Sequence, residues 1–245
     1  MIVGQEKPPL DELAHFGVKG MKWGIRKEDE PTGILALQAS KSLTIDPKVP
    51  KPTQAAAKEV ASLMDKRYGF HISDIRLMDP KEPGYSPDMV GYVKPGVRGQ
   101  GAVIHVGTKD PHKDLKHCEH VGWLGEGCGN TKAFLTHESA HAIFHVDDKL
   151  KTGFLAPKLV GANIQARDKA LKVAVKAAKK DGVSRSNFVA KVSGYAQSSG
   201  NRQELEAELF SQYHWSPNPP KFVQEWGKTL HNELGVDDTP FREKR

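Results

Sequence analysis

The spacing of apolar residues changes along the chain, from a helical period to a strand period and back. Between residues 53 and 69 the apolar positions recur at helical intervals, which predicts a helix that Gly69 ends. HISDIRLMD, residues 71–79, alternates apolar and polar positions and predicts a strand. GYVKPGVRGQGAVIHVGT, residues 91–108, predicts a second strand and leaves room for a third between its turns. The first half therefore predicts one helix and a small antiparallel or mixed sheet.

Helical periods dominate the second half of the chain, after a long loop predicted for residues 109–129. The sequence thus predicts an α+β fold, with a small sheet followed by a mainly helical C-terminal half. A further passage from helix to loop is predicted for residues 186–197. The full helices are predicted at residues 131–146, 166–180, 202–215 and 219–234. Four segments are predicted: a docking tag or disordered terminus (1–30), a linker (31–52), a folded domain (53–235) and a tail (236–245).

Composition and charge narrow the classes of protein that fit this pattern. Hydrophobic residues make up 38% of the chain, and no apolar run approaches the ~20 residues of a membrane span, so we expect no membrane segment. The first residues lack a basic region followed by an apolar stretch, so we expect no secretory signal peptide. The net charge is +6, and a solvated helix face explains the lysines of residues 166–180 more simply than nucleic-acid binding does.

The segment HFGVKGMKWGIRK, residues 15–27, combines aromatic and basic residues with three glycines and has no helical or strand period. It resembles a short HxGVKGMKWG tag of tailed-phage and prophage polypeptides. The matching residues are His15, Gly17, Val18, Lys19, Gly20, Met21, Lys22, Trp23 and Gly24. The resemblance implies a recruitment tag for the capsid interior, anchored by Phe16 and Trp23, since aromatic residues supply most of the contact energy of small interfaces. An ordinary disordered terminus is the alternative.

The segment THESAHA carries an HExxH pattern. His137 and His141 are four residues apart, so a helix places both imidazoles on one face, about 6 Å apart and within reach of one ion. Zinc accepts histidine nitrogens at about 2.0–2.1 Å. Glu138 lies on the adjoining side, where its carboxylate could take a proton from a water molecule at the metal. The alternative is an apolar helix whose histidines are buried and hydrogen bonded without a metal.

A catalytic zinc site needs a third protein ligand and one open position. His145 cannot supply that ligand, because the intervening helix rises about 12 Å from His137. The predicted helix RQELEAELFSQYHW, residues 202–215, offers Glu204 and Glu208 on one face, and a carboxylate from it would complete a His-His-Glu set. Solvated carboxylates on an ordinary helix are the alternative.

THESAHA, followed by SGYAQ and then ELEAELF, resembles the zincin metallopeptidases, in particular the gluzincin-like branch of the lethal-factor-type toxin proteases. The resemblance implies a zincin-like fold over roughly residues 53–235 and a Zn²⁺ cofactor held by His137, His141 and Glu204.

The same resemblance assigns further roles around the ion. Glu138 is the expected catalytic base, Tyr195 the expected stabiliser of the oxyanion, and Glu208 the expected partner that orients a ligand. GAVIHVGT, residues 101–108, is expected to be the edge strand along which an extended peptide binds.

These observations predict a zinc metallopeptidase that hydrolyses peptide bonds in a protein or peptide substrate. With the tag, they predict a phage-encoded effector packaged in the virion, which contacts a capsid or head protein and acts there or in the host cytoplasm. The alternative is a non-catalytic virion interaction protein that retains a metal-stabilised module. A second metal, bound by residues among His117, Cys118, His120 and Cys128, also stays open beside free thiols or a disulfide.

Overall fold

The computed structural model describes residues 42–81, 90–94, 101–107, 112–145 and 164–242. Within these ranges the chain has an α+β fold, as the sequence predicts. The strands are β1 (Thr44–Ile45), β2 (Ile72–Leu77), β3 (Gly91–Lys94) and β4 (Ala102–Val106). The helices are α1 (Lys51–Tyr68), α2 (His112–His120), α3 (Thr131–His145), α4 (Ile164–Lys180), α5 (Phe188–Val192), α6 (Gly194–Ser199), α7 (Arg202–Trp215) and α8 (Lys221–Leu234). The predicted docking tag, residues 1–30, lies outside the described residues.

The sheet is mixed, with the strand order β1-β2-β4-β3. β1 and β4 each pair in parallel with β2, and β3 pairs antiparallel with β4. The prediction that GAVIHVGT is an edge strand is therefore wrong, because β4 lies between β2 and β3. Alternating residues identify a strand but say nothing about its neighbours. β1 lies within the residues for which the sequence predicts a linker.

α1 packs against strand β2 of the sheet and also against α3. It starts at Lys51, slightly before the predicted start, and its buried positions include Val60 and Met64 of the predicted apolar face. The helix ends at Gly69, as the sequence predicts, and this glycine has the left-handed conformation with φ of 59°. A residue without a Cβ adopts that conformation at no steric cost.

A helix, α2, occupies part of the region for which the sequence predicts only a loop. That prediction is wrong because Leu115 is the only buried residue of α2, so the helix has almost no apolar face to reveal it. At the end of α2, Glu119 accepts hydrogen bonds from the backbone N–H groups of Gly127 and Gly129, at 2.6 and 2.9 Å. These two bonds hold the turn that leads into α3.

α3 and α7 lie at the centre of the helical half and pack against each other. Every residue of α7 from Glu204 to His214 is buried, and α3 is buried along almost its whole length. Polar groups taken out of water need partners inside the protein. The polar residues of these two helices must therefore find their partners within the core.

α4 and α8 form an outer pair of helices that pack closely together. Alanines dominate the buried face of α4, at positions 166, 170, 174, 177 and 178. The lysines of α4 are exposed, and Lys169 forms an ion pair of 2.5 Å with Glu233 of α8. Among the described helices, none combines the length and apolar character that crossing a membrane requires.

Tyr68 at the end of α1 links two buried histidines, His214 of α7 and His231 of α8. Its hydroxyl lies 2.6 Å from the Nε2 atom of each ring. The Nδ1 atom of His231 lies 2.6 Å from the carbonyl oxygen of Gly227, which can only accept, so this nitrogen carries the hydrogen. In the neutral ring Nε2 of His231 then accepts from Tyr68, and the hydroxyl oxygen of Tyr68 accepts from Nε2 of His214. This directed chain joins α1, α7 and α8.

The chain of hydrogen bonds needs an unprotonated Nε2 acceptor on His231, and both histidines are buried with lowered pKa values, so we predict that acid destabilises the protein. Burial, followed by the charges of His231 and nearby arginines, lowers the pKa of His214 well below its ordinary value. Burial is also the main reason why the pKa of His231 is lowered to about 4. Between the unfolded pKa of about 6.5 and these values, the unfolded chain binds more protons. The free energy of unfolding should therefore fall as the pH falls, by about 1.4 kcal/mol per pH unit for each histidine.

Chemical denaturation of the metal-free protein at several pH values between 7.5 and 4.5 measures this slope. His214→Phe removes one of the two titrating groups and should flatten the slope, at the cost of some stability at neutral pH. His120→Gln, at an exposed position of α2, is the control for loss of a histidine. Equal slopes for wild type and His214→Phe would contradict the assignment.

Candidate metal centre

His137 and His141 of α3 and Glu204 of α7 meet in the core. The Nε2 atoms of the two histidines are 3.0 Å apart, and the Oε2 atom of Glu204 lies 3.1 Å from each of them. All three side chains are buried. The three atoms form a nearly equilateral triangle, and these residues are a group that could hold a metal ion.

The triangle fits a metal site in both size and chemistry. Ligand atoms around a tetrahedral ion with bonds of about 2.0–2.1 Å lie about 3.3 Å apart, close to the separations of 3.0–3.1 Å found here. Two imidazole nitrogens and one carboxylate oxygen also provide three protein ligands, which leaves one position of a tetrahedron open. The arrangement matches the donor set of catalytic transition-metal sites.

Glu208, which follows Glu204 by one turn of α7, sets which ring nitrogen of His137 carries the hydrogen. The Nδ1 atom of His137 lies 3.0 Å from Oε1 of Glu208. A carboxylate accepts, so Nδ1 carries the hydrogen, and in the neutral ring the lone pair of Nε2 points to the triangle. Glu208 therefore holds His137 in the tautomer that a metal ligand needs.

The charges around the triangle favour a cation. Burial lowers the pKa of His137, but the hydrogen bonds and charges of Glu204 and Glu208 outweigh burial and raise it well above its ordinary value. Burial raises the pKa of Glu204, but the charge of His141 and the hydrogen bonds of both histidines lower it to about 2. Positive charge is thus stabilised here, and an entering metal ion would compete with a proton at His137.

The side chain of Glu138 lies beside the triangle and forms no hydrogen bond within the described part of the chain. The side chain is fully buried, and neither carboxylate oxygen has a partner there. Burial raises its pKa, while the charges of His137 and His141 act in the opposite direction. A buried carboxylate without partners is costly, so it indicates a group kept for chemistry or for a bound molecule.

The loop that precedes α3 holds Tyr195 next to His137. The backbone N–H of Tyr195 donates to the carbonyl of Trp123 at 3.1 Å, and the N–H of Gly194 donates to that of Gly122 at 2.9 Å. The ring of Tyr195 lies 6.0 Å from that of His137, centroid to centroid. Burial and the charges of the neighbouring carboxylates, first that of Glu204, raise the pKa of the phenol well above its ordinary value. The phenol therefore keeps its proton and remains a hydrogen-bond donor.

Asn201, which the sequence analysis did not single out, places Glu204 at the start of α7. The side chain of Asn201 caps the helix and accepts a hydrogen bond of 2.8 Å from the backbone N–H of Glu204. Asn followed three residues later by Glu is a helix-start signal that the sequence carries. In the fold the Glu side chain turns to the metal centre.

An apolar pocket adjoins His137. The sequence did not identify most of the residues that line it. Residues of the loop before α3, α2, α3, α6 and α7 contribute to it. The pocket is lined by Val90, Leu115, Cys118, Trp123, Leu124, Cys128, Ala133, Phe134, His137, Tyr195, Glu208 and Ser211. The apolar residues of the loop GWLGEGCGN were a possible sign of a pocket. The sequence alone does not show that this loop passes beside α3.

The two cysteines are free thiols, which was one of the alternatives that the sequence left open. Burial raises the pKa of Cys118 to about 11 and that of Cys128 well above its ordinary value. Neither cysteine, nor His117 or His120, belongs to a metal-binding group found among the described residues.

Comparison with known proteins gave a family match that covers most of the predicted N-terminal tag segment. A family model described as "Family of unknown function (DUF7211)" matches residues 6–30. This range includes the segment HFGVKGMKWGIRK and contains no residue of the metal centre. No curated protein and no solved structure matches the chain.

We predict that Glu204→Ala abolishes metal binding and that Glu208→Gln weakens it about 10–100-fold. The first change removes a ligand atom. The second keeps an acceptor for His137 but removes the charge that raises the basicity of the ring. Metal content after purification, and competition with a chromophoric chelator, measure both effects.

Glu126→Ala, at an exposed position of the preceding loop, is the control and should bind metal like the wild type. Equal metal content in Glu204→Ala and in the wild type would reject Glu204 as a ligand.

Proposed function

We propose that the protein is a zinc-dependent endopeptidase with a zincin-like fold. The observation that carries this proposal is the carboxylate of Glu138, which is fully buried beside the triangle of His137, His141 and Glu204 and lacks a described partner. A metal that only stabilised the fold would not need this group. The resemblance of THESAHA and ELEAELF to the zincins supports the same reading.

Zinc is the metal that fits the ligands best. Two imidazoles exclude a site designed for calcium or magnesium, which prefer oxygen ligands and higher coordination numbers. Three buried protein ligands with one remaining position are the arrangement of catalytic zinc sites. Bound zinc supplies Lewis acidity, lowering the pKa of water and polarising a carbonyl group.

The residues around the triangle then have defined tasks. Glu138 takes the proton of the attacking water and passes it to the leaving amine, because its carboxylate has no hydrogen-bond partner among the described residues. Tyr195 donates a hydrogen bond to the oxyanion of the tetrahedral intermediate, since its raised pKa keeps it protonated. Glu208 holds the ring of His137 in place.

The apolar pocket beside His137 supplies a place for a substrate side chain. Leu124, Phe134 and Trp123 line it, and Tyr195 lies at the same pocket. A large apolar side chain would be removed from water there, which favours binding by roughly 25 cal/mol per Å² of buried apolar surface. We therefore propose substrates with such a residue next to the cleaved bond.

Replacing Glu138 by Gln should reduce peptide-bond cleavage at least about 100-fold while metal content stays at the wild-type level. Glutamine has nearly the same shape but cannot accept the proton. A peptide library digested with purified, zinc-loaded protein and read by mass spectrometry measures the effect. Glu126→Gln is the control for the loss of an exposed carboxylate.

Two results of that digestion would count against the proposal. Cleavage that persists in Glu138→Gln would reject the mechanism, and a wild type that binds zinc but cleaves nothing would favour a non-catalytic module. If the cleaved bonds show no enrichment of large apolar residues at one fixed position, the role of the pocket is wrong.

We further propose that residues 1–30 are a docking segment that brings the enzyme to a phage capsid or head protein. A family model matches residues 6–30 and includes no residue of the metal centre. This match supports the proposal that the N-terminal segment has a role separate from the metal centre. In this proposal the enzyme is carried in the virion and acts on host protein. If the tag alone carried the function, the protein would be a virion interaction protein without catalysis.

Deleting residues 1–30 should abolish incorporation into phage particles, and Trp23→Ala should reduce it, because an aromatic anchor supplies much of the energy of a small interface. Immunoblots of purified particles measure incorporation, and peptide cleavage by the same variants should be unchanged. Equal incorporation of the full chain and the shortened chain would overturn the docking role.

A further inference from the structure

One buried arginine, Arg167 of α4, contacts both helices that carry the triangle of ligands. Its Nε and Nη2 atoms donate to Oε2 of Glu206 on α7, at 2.8 and 2.5 Å. Its Nη1 atom donates to the backbone carbonyl of Phe144 on α3, at 2.7 Å. The guanidinium also lies over the ring of Phe144, 5.3 Å from the centroid. Arg167 is 5% exposed, so water does not share these contacts.

On both helices, Arg167 contacts a residue that is close in sequence to residues of the triangle. Glu206 lies between Glu204 and Glu208 in the sequence, and a spacing of two residues turns its side chain away from theirs. Phe144 follows His141 by less than one turn, and its carbonyl belongs to the last turn of α3, where no later N–H of the helix is available. Arg167 therefore joins the two ligand helices from outside the metal centre.

The guanidinium geometry suits this bridge better than other cations would. A planar fork can bind a carboxylate through two N–H groups and still direct a third donor elsewhere. The positive charge also lies at the C-terminal end of α3, where the helix dipole favours it. An ammonium group cannot reach both helices in the same fixed directions.

Arg202 contacts the same carboxylate in a different way and provides a comparison. Its Nε atom donates to Oε1 of Glu206 at 2.7 Å, and its Nη1 atom lies 2.6 Å from Oδ1 of Asp168. Arg202 is on α7 itself, partly exposed, and the described contacts do not connect it to α3. It can neutralise Glu206 without setting the distance between α3 and α7.

We propose that Arg167 is a positioning residue for the metal centre. It sets the separation and rotation of α3 against α7, so that Nε2 of both histidines and Oε2 of Glu204 converge on one point. The proposal rests on the metal centre and does not depend on the peptidase activity. Metal affinity and the geometry around the metal are therefore the properties that should change.

The test compares Arg167→Met with the double variant Arg167→Met/Glu206→Met and with Arg202→Met. The single Arg167 variant leaves Glu206 buried with a weaker partner and should lose stability, whereas the double variant removes that charge and should recover much of it. Zn²⁺ affinity by chelator competition and the visible spectrum of the Co²⁺-loaded protein are measured in each. Circular dichroism and thermal unfolding report the fold.

We expect both Arg167 variants to bind Zn²⁺ about 10–100-fold more weakly than the wild type, with an altered Co²⁺ spectrum. Arg202→Met should keep the wild-type spectrum and lie within about threefold of the wild-type affinity, because it leaves the bridge intact. The decisive variant is the double one, in which stability returns and metal affinity does not. Arg167→Lys should recover only part of the affinity.

Wild-type affinity and spectrum in the double variant would overturn the proposal and reduce Arg167 to a stabilising residue. An Arg202→Met variant as impaired as the Arg167 variants would also overturn it, since neutralising Glu206 would then be sufficient. If the wild type binds neither ion, the metal centre fails and this proposal fails with it. A metal-binding wild type that cleaves no peptide would reject the proposed function alone.

Discussion

The packing of α3 against α7 is the constraint on which the candidate site depends. Both helices are buried along most of their length, so their polar side chains must find partners inside the protein or in a bound group. His137 and His141 come from one helix, and Glu204 and Glu208 come from the other. A small rotation of either helix would separate the ligand atoms, because the triangle has sides of only 3.0–3.1 Å.

Charge inside the core explains why this packing needs more than apolar contacts. Four carboxylates of α3 and α7 are buried, those of Glu138, Glu204, Glu206 and Glu208. Each would be costly alone, and the neighbouring histidines and Arg167 offset part of the cost. The carboxylates around the triangle leave an excess of negative charge, and this excess favours the binding of a cation. Opposite faces of α7 thus serve two purposes, with ligands on one face and an anchor on the other.

Several features of the fold were readable from the sequence because they depend on neighbours along the chain. Apolar residues at helical spacing identified α1, and Gly69 marked its end, since a left-handed residue after a helix favours glycine. α2 was not readable because it buries only Leu115, and the position of β4 in the sheet was wrongly predicted. Strand order depends on contacts between distant segments, and alternation of residues carries no information about them.

The arrangement of candidate groups on α3 follows from local sequence alone: His137 and His141 lie one turn apart on any helix, and Glu138 adjoins them. Local sequence also placed Glu204 and Glu208 on one face of α7 for the same reason. The folded structure was needed to show that this face meets α3, that Oε2 of Glu204 contacts both imidazoles and that Glu208 contacts the far side of His137. The role of Arg167 was decided there too. Helical periodicity is local, whereas the meeting of two helices is set by the packing of the whole core.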